Sequence, residues 1–483
     1  MDIAIVGGGA AAVGLLDALA GTEGNAAGGG TGTITVFEPS PHLWRGRPYG
    51  PDLDAVLVNT PPALMSVRGG DFGHFAAWLG ERGAEHIDPL LGQPLVPRAL
   101  YGEYLVHTAE KAVAALGEQG RPVRVVAARV TDIAARSGPR PVLRTDDGQE
   151  YRADRVALCV GGGTSPDPYG LAGQAGFTAD PYPLAGTLDR IAAGDDVAVV
   201  GSGLTAVDVV VALAAHGYPG RITLLSRSGV LPYVWQRPNG RRPNHVTVER
   251  VAALHRARGH LALDDLVGLL RMELADTGEN FDDLAAQLRD TRTDDPVQRL
   301  RRQLAAVDDP RVGRRVVQET AHSVGPYAWH LLRESDRAWL RRHLRTVTSV
   351  ASPMVPVNAS VLMRLLDSGQ LTVSSGIEAI EPVNGRFRVH TAEGRHTAHV
   401  VVNAVNASAQ AIPDLARPLV RSLTANGLAT LHPSGGLLPA DPRVHVVGDL
   451  SGGSFITSSI AGVATQATRT AAALRTPGPS AAG

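Results

Sequence analysis

The sequence predicts an α/β protein of two Rossmann-like dinucleotide-binding domains, the second inserted into a discontinuous first, with an added helical insertion. Three observations carry that prediction. A strand, glycine turn and helix open the chain, a second such unit lies in its middle, and a strand ending in Gly448-Asp449 comes near its end. With 483 residues, 44% of them hydrophobic and 19% charged, the chain can bury two or three cores of ordinary domain size.

The opening reads Asp2-Ile3-Ala4-Ile5-Val6, then Gly7-Gly8-Gly9-Ala10-Ala11-Ala12, then a helical run through Leu15, Leu16 and Leu19. Gly7, Gly9 and Ala12 occupy the G-x-G-x-x-G/A places, where the backbone approaches a pyrophosphate at a helix N-terminus. Thr33 to Phe37 reads as the next strand and ends in Glu38, an acceptor for a ribose hydroxyl pair. The Gly-rich residues 21–32 lengthen the spacing and are expected to form a flexible loop. Residues 123–158 read as a β-meander turning at Asp146-Asp147-Gly148, and Pro166, Pro168, Pro181 and Pro183 mark a linker.

The second unit begins with Val197 to Val200, turns through Gly201-Ser202-Gly203-Leu204-Thr205-Ala206, and continues as a helix. Gly201, Gly203 and Ala206 take the fingerprint places. The following strand, Arg221 to Leu225, ends in Ser226-Arg227, where a site for NAD carries a carboxylate. A donor and a cation there suit the 2′-phosphate of NADPH. Residues 235–345 change to helical periodicity, with Leu263, Leu266, Leu270 and Leu274 on one face, then Phe281, Leu284 and Leu288, then Val297, Leu300 and Leu304. This segment carries Arg237, Arg241, Arg242, His245, Arg314, Arg315, His322 and His330: either cations of a cap over a carboxylate substrate or solvated helix faces. The strand Arg443 to Val447 then leads to Gly448-Asp449 and a helix from Ile456 to Ala472.

These pieces, with Gly46 to Tyr49, Leu57 to Pro61, Met65-Ser66, Phe75, Trp78, Leu79 and the run from Val96 through Arg98, Tyr101, Tyr104 and Leu105, resemble a family. It is that of FAD/NAD(P)-binding proteins with a split flavin domain, related to flavin-dependent N-hydroxylating monooxygenases. The resemblance spans most of the chain outside residues 235–345. It implies FAD at the first turn and NADPH at the second, Asn59, Pro61, Met65 and Ser66 along the flavin ring, and Arg98 and Tyr101 bracing the cofactor. Arg47, Val130, Gly161, Asp449 and Ile456 complete the expected FAD set. Two departures stand out: Leu158-Cys159-Val160-Gly161-Gly162 lacks the hydroxyl such proteins often carry at this crossing, and Asn403-Ala404-Val405-Asn406 lacks a glycine.

The expected domains are residues 1–165 and 346–475 for FAD and 166–345 for NADPH, with a disordered tail at 476–483. A net charge of -1 offers no global field for nucleic acid or an anionic membrane. The chain starts without a basic-then-apolar leader and has no long apolar span, so a cytoplasmic location is expected. Cys159 is the single cysteine, so neither a disulfide nor a CxxC dithiol is available, and Lys111 is the single lysine. No metal is expected.

Electrons on the flavin must therefore leave to dioxygen or another external acceptor. The resemblance favours a monooxygenase that works through a flavin hydroperoxide on a small-molecule substrate, an amine or amino acid by analogy, with Asn59 and Ser66 as positioning groups. The alternatives are an NADPH-dependent flavin reductase or dehydrogenase without oxygen insertion, and a non-catalytic nucleotide sensor. A homo-oligomer is left open.

Overall fold

The computed structural model describes residues 1–21, 32–135, 140–291, 294–408, 411–433, 435–451 and 459–475. The expected loop at 22–31, Ile456 and the tail at 476–483 lie outside the described residues.

The opening strand Ile3–Val6 is buried along its whole length, as a strand covered on both faces must be. It is the centre of a five-stranded sheet in the order Val444–Val446, Arg155–Leu158, Ile3–Val6, Ile34–Phe37, Val123–Val126. Every pairing is parallel. Helices Ala10–Ala20, Arg98–Glu118 and Ile460–Arg475 cover one face, burying Leu15, Leu16, Tyr101, Leu105 and Ala467 together. On the other, Val6, Val156 and Leu158 pack against Ile133, Leu143, Leu419 and Leu423.

A second five-stranded parallel sheet has the order Leu371–Ser374, Ile222–Leu225, Val197–Val200, Val400–Asn403, Phe177–Thr178. Helices Leu204–Ala215 and Pro356–Asp367 cover one face through Val207, Val210, Ala359 and Leu362. The antiparallel sheet Ile377–Val383, Arg386–Thr391, Gly394–Ala398 covers the other through Phe387 and Val389.

Two expectations about segmentation are corrected. The meander is shorter than residues 123–158: only Val130–Ala134, Val142–Thr145 and Glu150–Arg152 form it, and the outer two strands belong to the parallel sheet. Leu371–Ser374 and Val400–Asn403 lie in the second sheet, so the chain returns to the first after Asn403 and not near residue 346. A strand of four residues, whether buried throughout like Val400–Asn403 or at an edge like Leu371–Ser374, carries no mark of which parallel sheet it joins. The last helix runs Ile460–Arg475 in the described residues, and the expected start at Ile456 lies outside them.

The helical insertion is as the periodicity predicts. Side chains cap three of its helices: Thr247 accepts from the Arg250 N–H, Asn280 from Asp282 and Asp295 from Gln298. Leu274 and Leu284 share a small core with Val312 and Val316, while Leu300 packs into the core of the second sheet. No described helix is long and apolar enough to cross a membrane.

Candidate nucleotide and active site

At the first turn the chain leaves strand Ile3–Val6 with Gly7 at φ +103°, its N–H donating to the Phe37 carbonyl at 2.9 Å. A Cβ on Gly7 would stand 2.4 Å from the Cys159 carbonyl oxygen of the neighbouring crossing, so only glycine fits. Glu38 is half-buried at the same edge of the sheet. Its carboxylate accepts from the Gly8 N–H at 2.8 Å and the Ser40 N–H at 2.9 Å. Gly9 begins helix Ala10–Ala20 with no side-chain cap and no acid in the first turn, which leaves N–H groups and the positive end of the helix dipole for an anion. Gly448 packs beside Ala11, and the Asp449 carboxylate lies 3.0 Å from where a side chain on Gly162 would begin. Glu38, Asp449 and the first turn thus converge at the C-terminal edge of one sheet, where open α/β folds bind ligands. Gly161 is exposed with nothing around its Cβ position, so the close approach at this crossing falls on Gly162 instead.

The Asn59–Ser66 segment is held from two sides. The Asn59 carbonyl accepts from the Trp235 indole N–H at 2.8 Å, and the Met65 carbonyl from the Tyr101 hydroxyl at 2.8 Å. The Asn59 side-chain oxygen is buried without a hydrogen-bond partner among the described residues, which marks it as an acceptor reserved for something the chain does not supply. Ser66 differs: its hydroxyl, only 3% exposed, donates to the Asp71 carbonyl and builds a turn. Pro61 is buried within the segment. Tyr101 packs on Tyr49 and Phe75 at centroid distances of 4.6 and 5.0 Å, and burial pushes the Tyr49 phenol up to about 12. Tyr104 accepts from the Val67 N–H and sits against Trp78 as packing. Arg47 is half exposed and pairs with Asp180. Val130 is in the core, 2% exposed among Ile133, Leu143 and Val156.

Arg98 does something the sequence did not suggest. It opens helix Arg98–Glu118, and its guanidinium donates to the Leu57 carbonyl at 3.0 Å, the Tyr182 hydroxyl at 3.0 Å and Asp208 Oδ2 at 2.5 Å. Asp208 is on helix Leu204–Ala215, the helix of the second glycine turn. The two side chains are 12% and 1% exposed. Burial works against the Arg98 charge, but Asp208 and Tyr182 outweigh it and raise its pKa. Arg98 therefore clamps the two units together.

The second turn repeats the first. Gly201 has φ +126°, its N–H donates to the Leu225 carbonyl at 2.7 Å, and a Cβ there would stand 2.7 Å from the Ala404 carbonyl oxygen. Gly203 begins helix Leu204–Ala215 without a side-chain cap, and Ala206 is fully buried where helix meets sheet. Ser226 uses its hydroxyl to accept from the Gly229 N–H at 2.8 Å. Arg227 is exposed and forms no hydrogen bond or ion pair among the described residues, so its charge is available. Asn403, in the segment that lacks a glycine, donates to the Pro166 and Ala179 carbonyls and secures the linker.

One cation at this turn was not expected. Arg345, on helix Leu344–Ala351 of the insertion, donates to the Ser202 carbonyl at 2.7 Å, the Ser202 hydroxyl oxygen at 3.1 Å and the Val230 carbonyl. Burial, with Arg299 nearby, pushes its pKa down to about 10, which leaves it charged at neutral pH. Nothing in the sequence separates Arg345 from Arg341 and Arg342, because only the fold brings it to residue 202. Other insertion residues serve the structure: Arg241 pairs with buried Glu273, His245 with Asp276, and Arg315 donates to three carbonyls.

Cys159 is buried, and burial pushes its thiol up to about 12. The thiolate is the reactive form, so Cys159 should resist alkylation. Intact-mass spectra after iodoacetamide at pH 8 should show no adduct on the folded protein and one after unfolding in guanidinium. Rapid native labelling would contradict this placement. Among the described residues no group of three or more His, Cys, Asp or Glu is placed to hold a metal ion.

Residues 4–163 match a family model described as FAD-NAD(P)-binding. No curated protein sequence matches the chain. Among solved structures, L-lysine 6-monooxygenase from Pseudomonas syringae is similar over 98% of each chain, at 18% identity and a TM-score of 0.56. An ornithine N-hydroxylase from Kutzneria sp. 744, in a complex with reduced FAD, NADP+ and L-ornithine, covers 98% of this chain and 99% of its own, at 14% identity and a TM-score of 0.56. The ornithine hydroxylase of Pseudomonas aeruginosa covers 98% of each chain, at 15% identity and a TM-score of 0.55. The chain shares the fold of these proteins from end to end.

Proposed function

We propose that this chain is an FAD- and NADPH-dependent monooxygenase that oxygenates a small amine or amino acid, with FAD at the Gly7 turn and NADPH at the Gly201 turn. The observation that carries the proposal is the pairing of two glycine turns, each at the C-terminal edge of its own five-stranded parallel sheet, joined by the Arg98–Asp208 clamp. The residues fit the two groups. Glu38 and Asp449 offer acceptors to a nucleotide, helix Ala10–Ala20 offers an uncapped N-terminus, and the Asn59 oxygen is an unused buried acceptor. At the second turn Arg227 and Arg345 supply positive charge for phosphate groups.

When both groups are bound, the chemistry they supply is hydride transfer from nicotinamide to flavin and activation of dioxygen. The chain's own part is to bind, orient and shield. Asn59 is the positioning residue, able to accept an N–H from flavin or substrate. The packed rings of Tyr49, Phe75, Tyr101 and Tyr104 keep water from the wall behind the Asn59–Ser66 segment. Ser66 donates its proton to the Asp71 carbonyl, so what it can offer a bound group is the acceptor side of its hydroxyl. No CxxC is present in the sequence, so no internal dithiol competes for the electrons.

If Arg227 reads the 2′-phosphate, Arg227→Glu should raise the KM for NADPH about 10- to 100-fold, equivalent to about 1.5–3 kcal/mol, and leave the KM for NADH nearly unchanged. Steady-state oxidation of the two cofactors checks this. Equal effects on both would contradict the role. The activity itself is tested by screening amines and amino acids for stimulated NADPH consumption. A stimulating substrate whose product is heavier by one oxygen supports the proposal. NADPH oxidation that runs only with artificial electron acceptors, with no oxygenated product, would support a reductase instead.

A further inference from the structure

The helical insertion, with Tyr233, lines an open-mouthed cavity of about 720 Å³ that none of the residues at either glycine turn or in the Asn59–Ser66 segment lines. Its deep wall is built from Arg299, Gln236 and Arg314, which are 5%, 3% and 8% exposed, with Tyr233 beside them. Arg299 donates through Nη1 to the Thr291 carbonyl, but its Nη2 is buried with no hydrogen-bond partner among the described residues. Gln236 donates through Nε2 to the Ala306 carbonyl at 3.3 Å, which fixes the orientation of its amide. That leaves Gln236 Oε1 buried without a partner as well. Arg314 donates to the same Ala306 carbonyl at 3.1 Å and forms no ion pair among the described residues.

The carboxylates around the cavity act on Arg299 and Arg314 only at a distance, Asp294 and Asp295 on the first and Asp309 on the second, and none forms a direct pair with either. Asp294 is taken by Arg302, Asp309 by Arg311, and Glu279 accepts from the N–H groups of Val312 and Gly313. Asp283 is exposed at the rim. The deep end therefore holds two buried guanidinium groups without a direct ion pair among the described residues, one unused donor and one unused acceptor. A buried polar atom without a partner is costly, and two on one cavity wall ask for a ligand that satisfies both.

We propose that this cavity is a second small-molecule site, separate from the nucleotide sites, for an amino or hydroxy carboxylate: its carboxylate on Arg299 and Arg314, its N–H or O–H donated to Gln236 Oε1. Both unpartnered atoms are satisfied by one such molecule, whereas neither a simple cation nor an apolar ligand satisfies both. The site is also linked to the second turn through one helix: Tyr233 donates its backbone N–H to the Ser349 carbonyl, and Arg345 on the same helix donates to the Ser202 carbonyl.

The test is calorimetric titration of the full-length, FAD-loaded protein in saturating NADP+, with L-glutamate, citrate and L-lactate as probes and L-lysine amide as a control without a carboxylate. At least one carboxylate should bind with a Kd of about 1 mM or tighter. Arg299→Gln should weaken it at least 10-fold. Should Arg299→Gln fail to fold, Gln287→Trp decides: Gln287 is exposed at the rim and uses only its backbone carbonyl, so the indole blocks entry without touching the core, and binding should again fall at least 10-fold. Absence of binding by all three carboxylates, displacement by NADP+, equal binding of the control, or wild-type affinity in Gln287→Trp would each overturn the proposal. Flavin content and NADPH oxidation, measured on the same samples, report separately on the proposed monooxygenase.

Discussion

Replacing Arg98 with methionine should destabilise the protein by about 3–5 kcal/mol, because Asp208 is then left buried, 1% exposed, with its counter-charge gone. The loss is that large because the second carboxylate oxygen of Asp208 already lacks a partner, so Tyr182 alone must hold the charge. Arg98→Met with Asp208→Leu should recover most of the loss, since the pair is then replaced by apolar side chains of similar size. Urea unfolding followed by circular dichroism and by flavin fluorescence gives the comparison. The reduction rate supplies a second readout. Arg98 joins the helix after the Leu57 segment to the helix of the second turn, so loosening it should slow flavin reduction by bound NADPH even in protein that stays folded. A double variant no more stable than Arg98→Met would show that the pair does not act as a clamp.

Alanine at the two turns should separate the two nucleotides. At Gly7 a Cβ meets the Cys159 carbonyl oxygen at 2.4 Å, and at Gly201 the Ala404 carbonyl oxygen at 2.7 Å, both on backbone that cannot swing aside. Both positions also have positive φ, a conformation that costs an alanine about 1–2 kcal/mol. Gly7→Ala is expected to be purified without flavin, or to fail to fold. Gly201→Ala is expected to retain flavin and to lose NADPH-driven reduction by at least 100-fold, while dithionite still reduces it. Flavin absorbance of the purified variants and anaerobic reduction check both halves. Loss of flavin from Gly201→Ala with retention by Gly7→Ala would reverse the assignment.

Much of this arrangement was legible in the sequence because it rests on local chemistry. Gly7 and Gly201 announce themselves where a strand ends in a turn that tolerates no Cβ, and Glu38 and Ser226-Arg227 stand at the ends of the strands that follow. The insertion helices could be read from the spacing of Leu274, Leu284 and Leu300. What could not be read depends on pairing across long stretches of chain. Leu371–Ser374 and Val400–Asn403 were expected in the first domain, and only hydrogen bonding to Ile222–Leu225 and Val197–Val200 reveals their sheet. Arg98 carries no local sign that its partner is Asp208, and Arg345 is one arginine among several until helix Leu344–Ala351 brings it to Ser202. Ser66 shows the converse. Its position along the chain suggests a role at the flavin, and only the fold reveals that its proton goes to the Asp71 carbonyl.

The central claim is that one chain holds a flavin at its first turn and draws hydride from NADPH at its second. It is tested most directly by mixing the purified, oxidised protein anaerobically with NADPH or NADH and following flavin absorbance. The account predicts a flavin-loaded protein that NADPH bleaches in full, at low concentration at least 10-fold faster than NADH does. A protein that binds no flavin, or whose flavin neither cofactor reduces, would contradict it.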